Sequence, residues 1–88
     1  EQVNVTGWSE EEQNGYVLMV RNNSPARTVR LTEWTVYDCV NIKGSICGRH
    51  TKPVVIRPGQ STDLGRVEKD SPMGGFQYRW NWVAEFVE

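Results

Sequence analysis

The sequence predicts an all-β fold: an antiparallel sandwich of six or seven strands forming a single domain over residues 1–88. Three observations predict it. Near the carboxyl end, Phe76, Tyr78, Trp80, Trp82, Ala84 and Phe86 take alternate positions, with Gln77, Arg79, Asn81 and Glu85 between them and Val83 the one apolar exception. Successive side chains of a strand point to opposite sides of a sheet, so this row marks a strand with one buried face, and its rings need a second sheet as cover. The remaining chain is cut into short β-prone runs by Asn14-Gly15, Asn22 to Pro25, Pro58-Gly59 and Asp70 to Gly75, with no convincing helix. A length of 88 residues suits one domain of about seven strands in two packed sheets.

The elements follow in order. Gln2 to Trp8 is a first strand in which Val3 and Val5 alternate with Asn4 and Thr6. Ser9 to Gln13 is polar and is expected to be a loop, closed by the Asn14-Gly15 turn. Tyr16 to Asn22 is a second, central strand with Tyr16, Leu18 and Val20 on one face. Thr28 to Val40 is the longest run. Its apolar phase is odd at Val29 and Leu31 but even at Trp34 and Val36, so a bulge near Thr32 to Glu33, or a crossing between sheets, is expected. Asn41 to Pro53 is irregular, Val54 to Arg57 and Ser61 to Val67 are short strands, and the loop at 70–75 delivers the chain into the terminal row. Within that row Trp80 and Trp82 are expected to be core, as is Trp34.

Composition narrows the function classes. Hydrophobic residues are 38% and charged residues 24%, which fits a globular rather than a disordered chain. A formal net charge of -1 argues against nucleic-acid binding by bulk charge. No apolar run approaches the length of a transmembrane segment. The chain begins at Glu1 without a methionine or a signal peptide, which fits a processed chain and an excised domain equally.

Val20-Arg21-Asn22-Asn23-Ser24, ending an early strand, and Val55-Ile56-Arg57-Pro58-Gly59-Gln60-Ser61, before a later one, resemble bacterial extracytoplasmic immunoglobulin-like β-sandwich domains in style. The resemblance implies an immunoglobulin-like sandwich and a secreted or periplasmic setting. No Cys-Trp-Cys arrangement spans two sheets, so antibody-type domains are a poor match.

The candidate sites are few. Cys39 and Cys47 are the only cysteines; a disulfide between them would close the loop Val40 to Ile46, stabilise by about 2.5 kcal/mol in the chain-entropy picture, and point to an oxidising compartment. The competing reading uses the same cysteines with His50, and with Asp38 as a fourth ligand, as a metal or redox site. His50, the single histidine, sits in the irregular segment and is expected on an exposed loop. The Glu10-Glu11-Glu12 run is expected to be solvated, and no glycine loop of the phosphate-cradling kind occurs, so no cofactor is expected. Trp8 is the best candidate for an exposed ring, able to stack on a sugar or anchor a protein. Arg79 flanks the terminal rings and is a second candidate contact. Ile42 and Lys43 would be presented by the disulfide-closed loop, in the manner of a protease inhibitor. Asn4-Val5-Thr6 and Asn22-Asn23-Ser24 match the N-glycosylation pattern. The absence of a coherent catalytic set leads to the expectation of a non-catalytic binding or accessory module for a protein or cell-surface component. Its rivals are a carbohydrate-binding module built on Trp8 and the metal or redox site.

Overall fold

The structure, a computed structural model describing residues 2–87, is a sandwich of two antiparallel sheets. Its strands are β1 (Val5–Glu12), β2 (Gly15–Asn22), β3 (Val29–Val40), β4 (Gly48–His50), β5 (Val54–Ile56), β6 (Ser61–Glu68) and β7 (Gln77–Phe86). The first sheet runs β1-β2-β6; in the second, β3 is central, with β7 on one side and the short strands β4 and β5 on the other.

β1 and β2 form a hairpin in which Glu12 lies opposite Gly15, and Asn14 adopts φ 63° at the turn. The polar stretch Ser9 to Glu12, expected as a loop, is therefore the end of β1. The turn residues carry the chain straight into pairing with β2, and an edge strand tolerates polar side chains on both faces. β3 contains the expected bulge. Leu31 faces Ala84 and Glu33 faces Val83, so Thr32 is the extra residue. That insertion resets the phase and lets Val29, Leu31, Trp34 and Val36 all point inward.

The fully buried core lies mainly on the central strands β2 and β3, with Ile56 of β5 and Val67 of β6 completing it. Leu18, Val20, Val29, Leu31, Trp34, Val36, Ile56 and Val67 make up the buried apolar set, in two clusters that share Leu64, Trp80 and Trp82 at their borders. The terminal row does point inward, as its period predicts. However, each of Tyr78, Trp80, Trp82, Ala84 and Phe86 is only half-buried. The expectation that Trp80 and Trp82 are core needs this correction: they lie on an edge strand, with the second sheet continuing on one side only. Trp34, on the central strand, is core at 6% exposure.

Candidate functional site

The corner around the cysteines is closed on itself. Cys39 and Cys47 are bonded, with Cα atoms 6.6 Å apart. As a disulfide they offer no thiolate to a metal, and among the described residues no cluster of three His, Cys, Asp or Glu side chains could hold one. The loop the bond closes turns through Asn41 and Gly44, both at positive φ, and Asp38 just before it is at positive φ as well. It is tied down onto β6. The Lys43 amide donates to the Glu68 carbonyl at 3.0 Å, and its ammonium lies 3.2 Å from the Glu68 carboxylate. Ile42 bridges to Lys69 and packs against the core. Thus Ile42 is turned inward and Lys43 is engaged with its own domain.

His50 is not on an exposed loop. It belongs to β4, opposite Trp34, and its ring stacks on the indole at 3.9 Å between centroids and 13° between planes. Its Nε2 lies 2.6 Å from the Ile46 carbonyl oxygen. A three-residue strand has too little periodicity to be seen in sequence, so this placement could not have been read from the pattern. A cleft of about 380 Å³ opens beside the stack, lined among others by Lys43, Arg66 and Glu68. Both cations lie within ion-pair distance of Glu68, Lys43 at 3.2 Å and Arg66 at 3.6 Å. The cleft's charges are thereby directed at one another.

Trp8 lies on the outer face of the first sheet. Gly7 and Ser9, its neighbours, face the interior: a Cβ on Gly7 would sit 2.5 Å from the Trp82 ring, and the Ser9 hydroxyl is 2.8 Å from that of Tyr78. Alternation therefore sends Trp8 outward, half-buried, with Met19 beside it across the ladder and Asp63 beyond. The indole N–H donates to Glu10 at 3.2 Å. The result is a shallow sheet face carrying one ring and flanking polar groups.

The open edge of β7 is the feature that sequence reasoning missed. The Val87 amide donates to the Thr28 carbonyl of the chain leading into β3, and the Val83 carbonyl accepts from the Thr32 hydroxyl. A residue's N–H and C=O lie on the same side of a strand, so the odd-numbered residues of β7 direct their main chain at β3. The even-numbered residues, Tyr78, Trp80, Trp82, Ala84 and Phe86, direct theirs outward. Among the described residues no main-chain hydrogen bond reaches that outer side. These same residues carry the half-buried side chains. At the two ends of the row a cation lies over a ring, Lys69 over Phe76 at 5.5 Å and Arg27 over Phe86 at 3.9 Å. Between them the rings lie under Gly7 and Ser9 of β1 and the Tyr16 ring of β2, and against the buried residues of the two core clusters.

Arg79 projects from the outer face of β7 opposite Tyr37, with its side chain 72% exposed and its nearest carboxylate, Asp38, at 3.9 Å. Glu85, on the same face, pairs with Arg30 of β3. The period-two signal located β7 from sequence; what it could not reveal was that only one of the strand's two flanks would be paired.

No protein-family model, curated protein or solved structure matches this chain.

Proposed function

We propose that this chain is a non-catalytic, immunoglobulin-like binding module that works outside the cytoplasm, secreted or periplasmic. On this reading it holds a protein partner by accepting an additional strand at the open edge of β7. The observation that carries it is the coincidence, on the same five residues, of unbonded main-chain groups and half-buried apolar side chains. A strand laid there gains a ladder of hydrogen bonds and covers rings that are otherwise partly wet, which is the physical basis of strand addition. The topology supports the immunoglobulin-like part of the reading: β1, β2 and β6 match the first, second and fifth strands of such a sandwich, and β3 and β7 its third and sixth. The disulfide supports an oxidising setting outside the cytoplasm.

Selection from a displayed peptide library tests this, with amide hydrogen exchange on the bound complex. Extended peptides with alternating apolar residues are expected, protecting the amides of Tyr78, Trp80, Trp82, Ala84 and Phe86. The variant Ala84→Pro, which removes an outward-facing donor and leaves the β3 ladder intact, is expected to abolish capture. Peptides that leave those amides unprotected, or turnover of hydrolase or transferase substrates by the purified chain, would overturn the reading. A second reading is favoured by one observation only, the outward placement of Trp8 on a sheet face. There the ligand is a carbohydrate stacked on the indole. A glycan array with Trp8→Ala as control separates the two, since strand capture at β7 is indifferent to Trp8.

A further inference from the structure

We infer that the strand taken up at β7 is the β7 of a second copy of this chain, paired antiparallel about a two-fold axis at Trp82. The inference rests on the strand-accepting reading of that edge and names its occupant.

Other exposed edges are protected. β1 ends in Glu10, Glu11 and Glu12, which would repel a copy of themselves. β6 carries an irregularity at Leu64 with Gly65 at φ 151°. β4 and β5 are three residues each. Natural edges are blunted by such bulges, charges and short strands, or by lysine and proline. β7 has none of these: it is ten residues long with no Lys, no Pro and no inserted residue, since the bulges in its ladder lie on β3. It carries two charges, of opposite sign, at Arg79 and Glu85.

Those charges select the register. Only even-numbered residues of β7 present free main-chain groups, so in a self-pair even must face even. An arrangement centred on Trp82 places Trp82 opposite its counterpart, Trp80 opposite Ala84 and Tyr78 opposite Phe86. In the same arrangement Arg79 falls opposite Glu85 twice, once on each side of the axis. An isologous interface requires such self-complementarity: a residue that meets another must be met by it in return. A shift of the axis by one position, to Asn81 or Val83, also keeps even facing even but separates Arg79 from Glu85. Trp80 meets the small Ala84 and the other pairs set ring against ring across the seam, while Arg79 gains, beside its distant Asp38, a carboxylate that Arg30 also pairs. The two second sheets become one continuous sheet, and the exposed flank of each ring row is covered by the other.

Sedimentation velocity over a concentration series, on the intact oxidised chain, tests the inference. A concentration-dependent dimer is expected. Arg79→Glu sets like charges opposite one another at both symmetric positions and should weaken association by on the order of tenfold or more. Adding Glu85→Arg to it, with Arg30→Glu so that residue 85 keeps an opposite charge across the β3 ladder, should restore most of the loss. Register is read independently by cysteine cross-linking. The double variant Asn81→Cys/Val83→Cys should form a covalent dimer on mild oxidation, since those positions face each other at disulfide distance, while neither single variant should. Cross-linking by Asn81→Cys alone or Val83→Cys alone would overturn the register. A chain that stays monomeric at every concentration, yet still captures peptide strands at β7, would overturn self-pairing and leave the strand-accepting edge standing. Failure of both would remove the edge reading itself.

Discussion

Gly7 shows how one residue sets the depth of this sandwich. It lies on β1 directly above the terminal rings, and any side chain there would drive into Trp82 at 2.5 Å and Trp80 at 3.0 Å. Gly7→Ala gains about 0.5–1 kcal/mol by restricting the unfolded chain, but overpacking against rigid rings costs about 1–3 kcal/mol, so the substitution should destabilise. Urea unfolding should show the loss, with a red-shifted tryptophan emission as the rings are pushed outward. Asn22 is the second residue on which the fold depends. It is fully buried at the end of β2, donating to the carbonyls of Arg27 at 2.8 Å and Ile56 at 2.9 Å and accepting from the Ser24 amide at 2.9 Å. It joins the β2–β3 connection to β5, and so ties the first sheet to the second. Asn22→Ala orphans all three groups and should cost about 2–4 kcal/mol in a denaturant titration, with Asn22→Asp worse because a carboxylate would face two carbonyls. The same burial means that the glycosylation pattern beginning at Asn22 is inaccessible in the folded chain, while Asn4, which is exposed, carries the other.

At the scale of elements, β3 governs the fold more than the terminal row does. Of the two irregularities in its pairing with β7, the bulge at Thr32 decides which side chains are inside. Deleting Thr32 should therefore prevent folding: either Val29 and Leu31 or Trp34 and Val36 would have to face solvent, and a one-residue slip turns a whole face over. Thr32→Ala, which keeps the residue count and gives up only the 3.3 Å bond to Val83, should cost less than about 1 kcal/mol. Circular dichroism of the two variants distinguishes the register effect from the side-chain effect. The Cys39–Cys47 bond works differently, because it closes one short loop and that loop is also held to β6 by the Lys43–Glu68 contacts. Cys39→Ser/Cys47→Ser should fold, with a stability lower by about 2.5 kcal/mol for a loop of this size, measured by denaturant titration. Most of these elements were legible in sequence: the period-two row found β7, the phase change found the bulge, and the turn residues found the hairpin and the β5–β6 connection. β4 was not, because three residues carry no period, nor was the end of β1, because an edge strand need not alternate in polarity. The strand-accepting edge was legible only in half. Alternation says which face of β7 is apolar, but which of its flanks is paired depends on strand order, a long-range property absent from local pattern.

The molecule as a whole is thinner than its length requires. Its radius of gyration is 13.9 Å and its extents 45 × 21 × 16 Å, against about 12 Å expected for a compact chain of this size. Its accessible surface is 5665 Å², against about 5,300 Å² from the scaling of compact monomers. The excess is consistent with a row of rings at an uncovered flank, and it implies that covering the flank should stabilise the fold as well as bind a partner. Association that favours only the folded chain raises stability by mass action. If the partner is a second copy, the thermal midpoint must then depend on protein concentration. Above the dissociation constant each tenfold increase in concentration adds about 0.7 kcal/mol per protomer, which for a domain of this size raises the midpoint by about 3–5 °C. Arg79→Glu should flatten that dependence over the range in which it no longer dimerises. It should leave the dilute-limit midpoint nearly unchanged, because the side chain is 72% exposed and held only by a 3.9 Å approach to Asp38. Calorimetric scans at several concentrations of the two proteins supply the comparison. A wild-type midpoint that does not move with concentration would show that the rings stay uncovered at equilibrium, and that the fold bears the exposure of this edge unaided.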